Sequence, residues 1–88
     1  MAAQYLRSGR VLSDDELASA AAEALQALGY THAEAAERLG LKSRTQVTMA
    51  LNPKTHGGRG HSVRVGILAL AGYAVEGPSY RLRRIADG

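Results

Sequence analysis

The segment Thr31 to Asn52, THAEAAERLGLKSRTQVTMALN, restricts this chain more than any other, because it holds two helix starts with a glycine between them. Thr31 precedes Glu34 by three residues and Ser43 precedes Gln46 by three, so each start has the reciprocal capping pattern in which a hydroxyl and a side-chain acceptor satisfy each other's backbone amides. Starts this close leave room only for short helices. Gly40, just after Leu39, occupies the place where the chain leaves the first of them, where a left-handed conformation costs glycine nothing.

The flanking sequence extends a helical pattern in both directions. Ser13 with Glu16 forms a third capping box, and Leu17, Ala21, Ala24, Leu25 and Leu28 recur at helical spacing up to Gly29, which predicts a helix over about Asp14 to Leu28. Further helices are predicted over His32 to Leu39, with Ala35, Ala36 and Leu39 inward, and over Arg44 to Leu51, with Val47, Ala50 and Leu51 inward. Pro53 blocks continuation. The three glycines and missing apolar anchor of residues 53–60, PKTHGGRG, predict an exposed loop, after which Ser62 caps a fourth helix to about Ala71. Alternation around Gly77 and Pro78 then predicts two short strands, one with Tyr73 and Val75 and one with Tyr80, Leu82 and Arg84. The expected class is mainly α: an N-terminal arm or edge strand over 1–12, a four-helix helix-turn-helix domain over 13–72, and a C-terminal β-hairpin or tail over 73–88. A lone hairpin is marginal in water, so Tyr73, Val75, Tyr80 and Leu82 are expected to pair with the N-terminal segment or with a second chain.

Charge divides along the chain. Residues 1–37 carry two arginines against six acidic residues, whereas residues 38–75 carry Arg38, Lys42, Arg44, Lys54, Arg59 and Arg64 and no acid. The net +3 therefore conceals a basic segment that begins inside the paired helices, as a phosphate-facing surface requires. With 88 residues the chain has a small core, so association with a second copy is expected. The absence of cysteine excludes disulfides, thiol catalysis and thiolate metal sites. The apolar run Val65 to Ala71 falls far short of the roughly 20 residues that span a bilayer, and no signal-type segment opens the chain, so a cytoplasmic protein without a membrane partner is expected. Nine arginines against two lysines suggest a GC-rich bacterial or phage genome.

Catalytic readings find little support. His32, His56 and His61 lack metal-ligand spacing, the run Gly57 to Gly60 lacks the lysine and hydroxyl of a phosphate-binding loop, and Asp14, Asp15 and Glu16 suit the first turn of a helix electrostatically. No enzyme activity, metal or cofactor is expected.

A nucleic-acid role gives the residues of the third helix defined tasks. Its N-terminal part would meet base edges in the major groove: Arg44 can fork onto guanine, Gln46 can pair with adenine, and Thr45, Thr48 and Met49 can touch bases or a thymine methyl. Gln46 also has a rival duty as the capping partner of Ser43. Lys42, Ser43, Lys54, Thr55, Arg59 and Arg64 are the candidates for phosphate contacts. Ala35, Ala36, Leu39, Gly40, Leu41, Val47 and Leu51 together resemble the helix-turn-helix of the lambda-repressor and Cro-like regulators of phages and bacteria. The common form of that motif has its buried valine or isoleucine six residues after the glycine. Here Val47 follows Gly40 by seven, which implies a turn one residue longer. The resemblance implies a dimer whose two third helices read the halves of a double-stranded DNA operator about one helical turn apart, and the leading expectation is a homodimeric transcriptional regulator, a repressor or an activator. Two rivals remain at this point. One is an interaction module docking on host transcription machinery through the C-terminal strand; the other is an architectural or recombination accessory protein that lays Arg81, Arg83 and Arg84 against DNA.

Overall fold

The computed structural model describes residues 11–52, 54, 58–76 and 80–85, the side chains of Asp14 and Arg59 excepted. Four helices precede a two-stranded antiparallel hairpin: α1 (Asp14–Leu28), α2 (His32–Arg38), α3 (Arg44–Ala50), α4 (Gly58–Leu70), β1 (Tyr73–Glu76) and β2 (Arg81–Arg84). The protein is thus mainly α with a short C-terminal hairpin, as its sequence predicts.

Local chemistry accounts for the first two helices. The Ser13 amide donates to Glu16 Oε1 at 2.9 Å and the Glu16 amide to Ser13 Oγ at 3.2 Å. The box at Thr31 and Glu34 is equally complete, with both distances 3.1 Å. α2 ends at Leu39, and Gly40 follows with φ 71°. The Gly40 amide donates to the Glu37 carbonyl and the Leu41 amide to the Ala36 carbonyl, the paired bonds of a Schellman turn. No atom lies within 4 Å of a Cβ built on Gly40, so its requirement is conformational rather than steric. Gly40→Ala is therefore expected to cost about 1 kcal/mol, the penalty of a left-handed L-residue, with Gly40→Asn costing less. Thermal unfolding checks this: a melting temperature lower by roughly 4–8 °C for alanine is the expected result, and no shift would count against the turn.

α1 buries Leu17, Ala18, Ala20, Ala21, Ala24 and Leu25. Its small side chains let α4 lie against it, while α4 also packs on α3 and β1, and α2 packs on α3. α4 is the central support. From it Val63, Ile67 and Leu68 enter the core shared by Leu17, Ala35, Ala36, Val47, Ala50 and Leu82. At Gly66 a Cβ would come within 2.9 Å of Leu39 Cδ2, so the missing side chain admits the end of α2 against α4.

One expectation needs correction here. α4 begins at Gly58, not at Ser62, so residues assigned to an exposed loop form its first turn. Ser62 is an exposed residue inside the helix, and the ring of His61 meets that of Tyr80 with centroids 5.1 Å apart. That tertiary contact helps to hold a turn that glycine's poor propensity would not form alone. The hairpin meets the first of its two expected pairings, with the N-terminal segment. Tyr73 and Leu82 are 9% and 0% exposed within the chain's own core, with Val75 and Tyr80 half-buried beside them. β1 pairs with β2 so that Tyr73 faces Arg84 and Val75 faces Leu82. Of the N-terminal segment, Val11 bridges Arg81 and the Leu12 amide donates to the Tyr80 carbonyl at 2.9 Å, so the strand pairing is met on the same chain. Residues 1–10 of the expected arm lie outside the described residues.

Candidate nucleic-acid interface

α3 divides cleanly into two faces. Arg44, Thr45, Thr48, Met49 and, just beyond the helix, Asn52 are exposed, whereas Val47 and Ala50 are buried and Gln46 and Leu51 half-buried. At about 100° per residue the five exposed positions form a continuous arc of roughly 140°. Arg44 is the only charged residue on this helix, and Met49, 53% exposed, is its outstanding apolar one. A face of this kind offers one guanidinium, hydroxyl groups and apolar surface side by side.

The cap of α3 is simpler than its sequence suggests. Ser43 Oγ accepts from the Thr45 amide at 3.1 Å, and the Gln46 amide donates to the Ser43 carbonyl at 3.2 Å. The expected box with the Gln46 side chain does not form. Instead Gln46 lines a groove of about 250 Å³ with Leu39, Leu41, Ser62 and Val63, and its Oε1 is buried without a hydrogen-bond partner. Gln46 therefore faces α4, on the opposite side from Arg44 and Thr48, and is removed from the base-reading set.

Arg64 is the larger correction. Assigned by its charge to phosphate, it is 2% exposed, and its Nε donates to the Ala50 carbonyl while Nη2 donates to the Asn52 carbonyl at 2.9 Å. These acceptors lie at the C-terminal end of α3, where carbonyls lack helical partners and the helix dipole is negative. Arg64 thus anchors α3 to α4 from inside. Asn52 continues the device outward, because its Oδ1 accepts from the Lys54 amide at 3.0 Å and shapes the exit towards that lysine.

Lys42, Ser43 and Lys54 are exposed beside the α3 face. Thr55 lies outside the described residues, as does the side chain of Arg59. Arg38, the remaining cation of the acid-free segment, lies 4.6 Å from the ring centroid of Tyr30. Glu34 turns back to the Thr31 amide in its capping box.

His32 is the residue that sequence reasoning missed. Absent from the inward set of α2, it is nevertheless half-buried and brings Nδ1 within 2.7 Å of Thr48 Oγ1, while that hydroxyl lies 3.3 Å from the Arg44 carbonyl as a donor. No spacing rule connects residues on different helices, so the pair had no local signal. In the hairpin, Arg83 pairs with Glu76 at 2.7 Å and Arg84 sits over the Tyr73 ring at 5.8 Å, so both arginines have partners on β1.

Among the described residues no group of three histidines, aspartates or glutamates could hold a metal ion, and no helix is long and apolar enough to cross a membrane. Comparison with protein-family models, curated proteins and solved structures finds no match for this chain.

Proposed function

We propose that this protein binds double-stranded DNA in a sequence-specific manner, laying the exposed face of α3 in the major groove, and that it controls transcription by occupying an operator. The observation that carries the reading is the continuous, acid-free arc of Arg44, Thr45, Thr48 and Met49 on a short helix fixed at both ends and flanked by Lys42 and Lys54. A helix in the major groove needs such a face, with donors for base edges at its start and cations beside it for phosphate. The Schellman turn at Gly40 and the buried Ala35, Ala36 and Val47 support the likeness to lambda-repressor and Cro-like regulators. On this reading the protein works in a bacterial or phage-infected cytoplasm as a homodimer, with its two α3 helices about one DNA turn apart. The hairpin rivals draw less support, since Tyr73 and Leu82 are buried and Arg83 and Arg84 have partners within the hairpin.

Retention of a random duplex pool at two salt concentrations tests the proposal. Salt-sensitive binding that enriches a palindromic sequence is expected, and no salt-sensitive retention overturns it. Lys42→Ala and Lys54→Ala are each expected to weaken binding evenly across sequences and to reduce the salt slope by about one. A change confined to one base position would reassign the lysine concerned from phosphate to base.

A further inference from the structure

Thr48 can address a base through either its hydroxyl or its methyl group, and these select different partners. A hydroxyl serves as donor or acceptor to several bases, whereas a methyl in the major groove is complementary to the C5-methyl of thymine alone among the four. A threonine hydroxyl has a single proton. That of Thr48 lies 3.3 Å from the Arg44 carbonyl and 2.7 Å from His32 Nδ1, two partners on the protein that leave the proton committed in either histidine tautomer. Donating to a base would break one of these bonds, which leaves the hydroxyl only an acceptor role towards the amino group of adenine or cytosine. The methyl group has no such commitment. Thr48 is exposed, and it lies on the arc between Arg44 and Asn52.

We infer that Thr48 reads a thymine by methyl-to-methyl contact, its hydroxyl being held by His32 and the Arg44 carbonyl. The inference rests on the proposed DNA-binding role of α3 and specifies its ligand: the bound duplex carries a thymine opposite the middle of the helix, next to the base met by Arg44.

The test uses the full chain and a duplex enriched from a random pool, in which each thymine is replaced in turn by deoxyuridine, which lacks only the methyl. One such replacement is expected to weaken binding about fourfold, the fold-change of one buried methyl group. Thr48→Val, which keeps the methyl and loses the hydroxyl, is expected to retain that ratio. Thr48→Ser, which does the reverse, is expected to reduce the thymine-to-uracil ratio at that position to about one. Circular dichroism verifies that both variants remain helical, and the deoxyuridine series on the unaltered chain needs no variant at all. Loss of the ratio in valine, its survival in serine, or an enriched duplex indifferent to every deoxyuridine overturns the methyl reading while leaving DNA binding intact. Absence of salt-sensitive binding to any duplex overturns both.

Discussion

Arg64→Met lowers the urea midpoint of unfolding by about 2 M, corresponding to about 2 kcal/mol at the slope of about 1 kcal/mol per molar usual for a small domain. The value follows from two opposed effects. Hydrogen bonds to a charged donor contribute about 1.5–3 kcal/mol each, and the Ala50 and Asn52 carbonyls both lose one. Against this, burying a guanidinium costs several kcal/mol in desolvation, a cost that methionine removes while filling much of the same space. The balance stays unfavourable because the carbonyls remain at the end of α3 with their donor gone. Arg64→Ala adds a cavity and is expected to lose more, about 3–4 kcal/mol, a large share of the 5–15 kcal/mol that typically separates folded from unfolded domains. Arg64→Lys cannot reproduce the fork and should fall between the parent and methionine. An unchanged midpoint combined with a flatter salt dependence of DNA binding would instead make Arg64 a phosphate ligand.

The same residue explains where the sequence could be read and where it could not. Capping at Ser13 and Thr31 is local chemistry: a hydroxyl and a carboxylate three residues apart complete a box whatever lies beyond the helix. Ser43 and Gln46 have the same spacing, yet Gln46 lies on the side of α3 that faces Ser62 and Val63, and tertiary placement overrides the local option. Gly40 was legible because a helix stop with φ 71° is a property of the chain itself. Arg64 was not. Counting cations in an acid-free segment treats each as exposed, and nothing in the neighbourhood of Arg64 announces two carbonyls brought from α3. The first turn of α4 was hidden for the mirror reason, since three glycines in residues 53–60 report weak propensity but not the contact between His61 and Tyr80. The exposed arc of α3 itself was legible almost completely, because helical periodicity alone separates Arg44, Thr45, Thr48 and Met49 from Val47 and Ala50.

Arg44→Ala is expected to weaken binding to the enriched duplex by roughly 5- to 150-fold and to relax preference at one base pair, the signature of a lost guanine contact. The stability of the free protein argues for that assignment. Arg44 is the first residue of α3, where the positive end of the helix dipole repels a cation and an acidic residue would be favoured. Its charge is therefore unhelpful to the helix that carries it, in contrast to Arg38 in the last turn of α2, where a cation is favourable. Alanine at position 44 should leave the urea midpoint unchanged or slightly raised while affinity falls. Arg44→Lys should recover part of the non-specific binding but not the base preference, because an ammonium lacks the planar fork that matches guanine. Competition titrations with all single-base variants of the duplex, run beside urea unfolding, separate these outcomes. A uniform loss across every variant, with the salt slope reduced by about one, would place Arg44 on phosphate and leave base reading to Thr45, Thr48 and Met49.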